Sequence, residues 1–278
     1  MIIVKLKGGL GNQLFQYAFG RRMSIFRHEK LKLDKDILGE KGDTYRYYGL
    51  DNYNIKADIA SKEEVQKFKY PLGLFSKFLR FLKGKVLKIY HVGYEPELLK
   101  SKSIYLDGYF QSYKYLEPIK NDLLKEITLK EPIENKYFDL LQKINNNNSV
   151  SIHIRRGDYI NNNDYCTYGL EYYNEAIKII KEKISDPIFF VFSDEITWAK
   201  ENFKLNNIFF VSSPAMKDYE ELILMTKCKH NIIANSSFSF WGAWLNKNPD
   251  KTVIAPKKWC NKFIKEFRDL LPVSWIRI

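Results

Sequence analysis

From residue 150 onward, short apolar runs alternate with stretches of helical periodicity, and this alternation constrains the fold more than any other feature. Residues 150–154, 187–192, 208–211, 231–234 and 252–256 read as strands. Residues 170–184, 196–203, 219–228 and 240–245 read as the helices between them. Strands of this length cannot pair in hairpins when a helix intervenes each time, so the pattern predicts a parallel sheet covered by helices. The beginning of the chain follows the same plan. Residues 2–6 form a buried strand, Gly8, Gly9 and Gly11 a loop, residues 12–27 a helix and residues 31–34 the next strand. Leu14, Phe15, Ala18, Phe19, Met23, Ile25 and Phe26 supply that helix with a broad apolar stripe. A chain of 278 residues with 45% apolar content can bury two cores. Four consecutive asparagines at 145–148 resist helix formation and place the boundary within 128–148, giving expected units of residues 1–147 and 148–278.

Three of the predicted strands end in polar residues just before a helix. The first runs through His153, Arg155, Arg156, Gly157 and Asp158, the second through Ser193, Asp194 and Glu195, and the third through Asn235, Ser236, Ser237, Phe238 and Ser239. In a parallel sheet the strand ends share one rim, where open α/β sheets bind their ligands. Arg155 or Arg156 can neutralise a diphosphate, and the serines with the N–H groups of a helix start can cradle its oxygens. A carboxylate such as Asp194 can accept the two donors on the edge of guanine. No P-loop with its lysine is present.

The opening also invites comparison with a dinucleotide site, since Asp34 lies 23 residues after Gly11. The fingerprint is incomplete: Leu14 stands where the third glycine is needed for close helix–strand packing. An NAD-dependent oxidoreductase is therefore a rival reading. A second is a non-catalytic module that binds glycans or nucleic acid through the net charge of +12 and the 19 tyrosines, 19 phenylalanines and 5 tryptophans. Trp241 and Trp244 are expected in the core. Cys166, Cys228 and Cys260 are odd in number and show no metal-binding spacing, which fits a reducing compartment and no structural zinc. No apolar run reaches the roughly 18 residues that span a bilayer, and no signal peptide is expected. Ser61 with Glu64 is a helix-start signature. Residues 69–88 mix apolar side chains with six Lys/Arg, a composition suited either to a core helix with a solvated basic face or to an acidic membrane surface.

Taken together, the blocks at 8–18, 153–159, 192–195 and 235–244 resemble the α-1,2-fucosyltransferases of glycosyltransferase family 11. The resemblance implies a GT-B fold, two Rossmann-like domains facing each other across a cleft. It implies GDP-β-L-fucose as donor, inversion at the anomeric carbon, a galactoside-type glycan acceptor and no obligatory metal. Carried onto this chain, Arg155 contacts the departing diphosphate and Arg156 supports it. His153 faces the nucleotide, and Asp194 reads guanine. Ser193, Asn235, Ser236, Ser237 and Phe238 line the pocket, while Gly9, Gly11, Asn12 and Gln13 face fucose and acceptor. Asp158 is the first candidate for the base, with Asp164 and Glu171 as alternatives. The expected setting is cytoplasmic, peripheral to an acidic membrane face, with a free or lipid-linked oligosaccharide as acceptor and no nucleic acid.

Overall fold

The computed structural model describes residues 1–36, 38, 46–83, 90–101, 105–160, 163–262 and 265–278. It contains two compact units. One comprises Met1–Lys130 with Glu266–Leu271, the other Glu131–Lys265 with Pro272–Ile278.

In the first unit, β1 (Ile2–Lys5), β2 (Leu31–Asp34), β3 (Asp58–Ile59) and β4 (Tyr105–Leu106) form a parallel sheet in the order β3-β2-β1-β4. The helix Leu10–Arg27 joins β1 to β2 and buries Leu14, Phe15, Ala18, Phe19 and Met23. It lies close on the sheet at Gly20, where a Cβ would fall 2.4 Å from Val4 Cγ2. It starts at Leu10, two residues before the expected position, because the Gly9 carbonyl already accepts the N–H groups of Asn12 and Gln13 at 2.9 and 3.1 Å. Ser61 and Glu64 form the expected reciprocal cap on the helix Lys62–Lys69. The helical segment between residues 113 and 126 is divided. Tyr113–Leu116 gives way to a tighter turn, Glu117–Ile119, and then to Lys120–Glu126, because Pro118 lacks an N–H to continue the ladder. After β4 the chain leaves the sheet through Gly108 and Phe110, the latter at φ 52°. The Glu266–Leu271 segment completes this unit: the Asp269 carbonyl accepts Ser112 Oγ at 2.5 Å, and Lys114 pairs with the Asp269 carboxylate at 2.8 Å.

In the second unit, β5 (Asn148–Ile154), β6 (Pro187–Ser193), β7 (Ile208–Phe210), β8 (His230–Ile232), β9 (Val253–Ala255) and β10 (Ile276–Arg277) are all parallel, in the order β10-β9-β8-β5-β6-β7. Val150, Ile152 and Ile154 face a core built with Tyr173, Ala176, Ile177 and Ile180 of the helix Leu170–Lys183. Trp241 and Trp244 are buried, as expected. The change of unit falls at 130/131, not at 147/148. The helix Phe138–Asn145 belongs with the second sheet, burying Leu141 and Ile144, and Glu220 binds both Lys136 at 2.6 Å and Tyr137 at 2.9 Å. The asparagine run is accordingly a tight entry into β5, with Asn148 Nδ2 bonded to the Ser185 carbonyl at 2.8 Å.

Candidate active site

The strand order decides where a ligand fits. The chain starts the second sheet at β5, builds outward through β6 and β7, then returns to add β8, β9 and β10 on the other side. The direction of winding reverses between β5 and β8, and helices on opposite faces leave a crevice there. The three strands with polar ends, β6, β5 and β8, are immediate neighbours.

Arg155 leaves the end of β5 and is held from two sides. Its Nη2 donates to Asp158 Oδ1 at 2.6 Å and its Nη1 lies 3.1 Å from Asp194 Oδ2. Burial works against its charge, but Asp194 and Asp158 outweigh this and hold the guanidinium above its ordinary pKa. The Arg156 N–H donates to Asp194 Oδ1 at 3.0 Å, so both Asp194 oxygens are engaged. Burial raises the Asp194 pKa, with Arg155 and the Arg156 N–H opposing. Arg156 Nε donates to Glu195 Oε2 at 3.0 Å, and its guanidinium lies 3.8 Å from the Trp198 ring centre. Two arginines are thus aimed and neutralised by three carboxylates.

His153 is 4% exposed, and its Nδ1 has no hydrogen-bond partner. Burial, reinforced by Arg155, pushes its pKa down to about 3, so the ring is neutral across the ordinary pH range. A buried imidazole nitrogen without a partner is costly. Its neighbour is Phe238, at 5.3 Å between ring centres. Phe238 lies in the first turn of the helix Ser237–Trp244 that follows β8. Ser236 precedes that helix in extended backbone and makes no side-chain cap, leaving first-turn N–H groups available to an anion. Ser239 is a structural residue, its Oγ accepting the Ala234 N–H at 3.0 Å. Ser193 is likewise structural: its Oγ accepts the Glu195 N–H at 3.0 Å. Asn235 ties the rim together, donating to the carbonyls of Cys166 and Trp259 at 2.9 and 2.8 Å. Tyr159 stacks on Tyr165 at 4.2 Å and donates to the Asn235 carbonyl at 3.3 Å.

Of the alternative bases, Asp164 is exposed and paired with Lys262 at 3.0 Å, and Glu171 is exposed at the start of its helix. Gly9, Gly11, Asn12 and Gln13 lie in the first unit. There Gln13 is buried and bonds to the carbonyls of Gly8 and Tyr47 and to the Gly49 N–H, so it shapes the loop. Gly11 is buried within the helix, while Asn12 is half-buried and accepts from Gln111 at 2.6 Å.

Sequence reasoning missed Trp198, Glu195 as a partner of Arg156, and Glu221. Trp198 lies three residues beyond Glu195, on the helix after β6, a spacing that could have flagged it. Glu221 carries no local signal. It sits on the helix Asp218–Lys227 and hydrogen-bonds Ser212, whose Oγ accepts the Ser193 N–H. Burial raises its pKa to about 7, with Asp218 and Asp194 adding to the shift.

The chain has counterparts among known proteins. Residues 75–278 match the family described as Glycosyl transferase family 11. An α-1,2-colitosyltransferase of Escherichia coli is 36% identical, the match covering 100% of this chain and 99% of that protein. The O-antigen biosynthesis glycosyltransferase WbnK, also of Escherichia coli, is 32% identical over 91% of this chain and 93% of its own. Among solved structures, the NodZ α-1,6-fucosyltransferase of Bradyrhizobium, soaked with GDP-fucose, superposes with a TM-score of 0.54 at 13% identity, covering 88% of this chain and 91% of NodZ. That likeness establishes the GT-B class of fold. The oxidoreductase reading and the non-catalytic reading are both overturned. Asp34, the acid the former required, is 3% exposed and bonded to the Tyr105 hydroxyl.

Proposed function

Because this chain belongs to glycosyltransferase family 11, we propose that it moves L-fucose from GDP-β-L-fucose to a 2-hydroxyl of a glycan, a galactoside by preference, forming an α-1,2 linkage with inversion. The observation that carries this reading is the pairing of Arg155 at the end of β5 with an uncapped helix start at the end of the adjacent β8. A diphosphate at the β5–β8 crevice would meet a guanidinium on one side and backbone N–H donors beside Ser236, Ser237 and Phe238 on the other.

The chemistry then falls to few groups. As the bond from the anomeric carbon to the diphosphate stretches, positive charge develops on the sugar ring and negative charge on the leaving oxygens. Arg155 and the helix N–H groups meet that growing negative charge in positions set beforehand, so they bind the transition state better than the ground state. Asp158, committed to Arg155 at 2.6 Å, serves as the residue that aims the guanidinium. A diphosphate that draws Arg155 away would free the Asp158 carboxylate to take the proton of the acceptor hydroxyl. With both Asp194 oxygens engaged, reading of guanine passes to Glu221. Its anion is disfavoured by burial and gains most from a neighbour with two N–H donors. Neutral His153 offers its unpartnered Nδ1 to the nucleotide. Asn12 and Gly9 in the first unit are assigned to the acceptor sugar. No metal is required, since arginine and N–H donors supply the positive field; full activity in excess EDTA is the expected outcome.

The likeness to an α-1,2-colitosyltransferase supports a second reading, in which colitose rather than fucose is transferred. The deciding experiment is a thermal-shift panel of GDP, UDP, ADP and NAD, followed by turnover with GDP-fucose and GDP-colitose on a β-galactoside. Stabilisation by GDP alone and turnover of GDP-fucose support the reading. Stabilisation by NAD or UDP, or turnover of GDP-colitose alone, rejects the nucleotide or the sugar assignment respectively.

A further inference from the structure

The helix Leu74–Phe81 in the first unit is mounted inside out. Viewed down its axis, Leu74, Phe75, Phe78, Leu79 and Phe81 occupy one side, and Ser76, Lys77 and Arg80 the other. In an ordinary surface helix the apolar side packs on the core. Here Ser76 is the buried residue, its Oγ accepting the Leu72 N–H at 2.9 Å. Arg80 donates through Nε to the Lys69 carbonyl at 2.8 Å and lies 4.8 Å from the Tyr105 ring centre. Lys77 lies over the Tyr70 ring at 5.3 Å. The apolar side faces outward: Leu74 is 82% exposed, and Phe75, Phe78 and Phe81 are each more than half exposed. Leu72, in the turn before the helix, adds to them. That turn is set by Gly73 at φ 54°, a conformation that brings the helix in at an angle a residue with a Cβ would resist.

A contiguous apolar patch of this kind on a water-facing surface marks something that covers it. Charge identifies the cover. Residues 69–83 contain Lys69, Lys77, Arg80 and Lys83 and no acidic residue. A second copy of the same face would bring these cations together and be repelled. An anionic lipid surface would attract them while its acyl boundary received the phenylalanines. Basic residues flanking an exposed Phe/Leu side are what an interfacial helix needs.

We propose that the Leu74–Phe81 helix is a membrane-docking element that inserts Leu74, Phe75, Phe78 and Phe81 into the headgroup boundary of an anionic bilayer, with Lys69, Lys77 and Lys83 at the level of the lipid phosphates. The helix rests parallel to the bilayer plane; eight residues are far too few to cross it. The docking is reversible and depends on salt, because part of the attraction is electrostatic and screened.

The test is flotation of the full chain with vesicles of phosphatidylcholine alone and of phosphatidylcholine with about 30% phosphatidylglycerol, which supplies the negative surface potential that attracts basic segments. Phe75→Ser/Phe78→Ser is the test variant, because both side chains are exposed and their loss leaves the core untouched. Circular dichroism and GDP-dependent thermal shift verify its fold. The expected result is binding of the wild type to the anionic vesicles at low salt, at least tenfold weaker binding to the neutral ones, and at least tenfold weaker binding of the variant to the anionic ones. A single Phe78→Trp reporter would be quenched by lipids brominated near the headgroup. Absence of wild-type binding at low salt overturns the proposal. So does equal binding of the variant, or a concentration-dependent wild-type dimer that the variant abolishes, which would make a second copy the occupant.

Discussion

The two sheets of this protein are wound alike and finished differently. Each reverses direction beside its first strand, β1 against β4 in one and β5 against β8 in the other. At the β1–β4 reversal the strand ends hold Lys5 and Lys7 against one acid, Asp107, at 3.5 and 3.0 Å, and the Tyr109 ring lies 4.5 Å from Lys7 Nζ. Burial raises the Asp107 pKa, but the two lysines overcome this and keep it below the ordinary carboxyl value. Behind them, the amides of Gln13 and Gln16 are fully buried and bonded to loop backbone. At the β5–β8 reversal the arginines are held by carboxylates at the edge, a neutral histidine keeps its Nδ1 without a hydrogen-bond partner, and a helix start is left uncapped. A rim whose polar groups are already satisfied suits a rigid wall for an uncharged sugar. A rim that keeps unsatisfied or exchangeable groups suits an ionic ligand. The same topology therefore supports two kinds of surface, and the difference lies in which hydrogen bonds are closed in advance.

This contrast can be broken most decisively at Arg155. Arg155→Ala is expected to lower turnover by about 10²–10³-fold with the fold retained, since it removes a preset donor to the leaving group. Lys7→Ala in the other unit should cost far less, and equal losses in steady-state kinetics would erase the distinction. Asp158→Asn comes next. If the carboxylate chiefly aims Arg155, turnover falls by about 10–10²-fold through misplacement, and the acidic limb of the pH profile survives. Loss of that limb would make Asp158 the base. In the first unit the expected effect is on stability. Gly8 sits at φ 77°, and a Cβ there would lie 2.4 Å from Asn12 Nδ2. Gly8→Ala should cost about 1–3 kcal/mol in denaturant unfolding, while Gly73→Ala, where a Cβ meets nothing within 4 Å, carries only the backbone strain.

A further test sharpens the comparison through pH. The Glu221 carboxyl is raised from 4.5 to about 7, chiefly by burial, so between those values the folded chain binds a proton that the unfolded chain has released. Its contribution to stability is present below about 4.5 and is lost as pH rises toward 7. Glu221→Gln should therefore leave ligand-free stability nearly unchanged at pH 5 and raise it at pH 8 in thermal melts. Saturating GDP should reverse the order at pH 8 if Glu221 reads the base. Failure of the two melting curves to diverge with pH would remove Glu221 from the ionic rim.

The alternation of apolar runs and helices was enough to read two parallel sheets, because strand and helix periods are local properties of neighbouring residues. The same local logic yielded the Ser61–Glu64 cap, the polar ends of β5, β6 and β8, and Arg155 with Asp158 three residues later. Other features required the chain to return on itself. That β6, β5 and β8 lie side by side follows from the order of winding, which no local period encodes. The engagement of both Asp194 oxygens, the burial of Gln13, the stacking of Trp198 on Arg156 and the arrival of Glu221 beside Ser212 join residues on different elements. The inverted mounting of Leu74–Phe81 is of the same kind. Its two-sided pattern was plain in the sequence, but which side meets water is settled by what the rest of the first unit offers it: the Lys69 carbonyl and the Tyr105 ring, to which Arg80 binds.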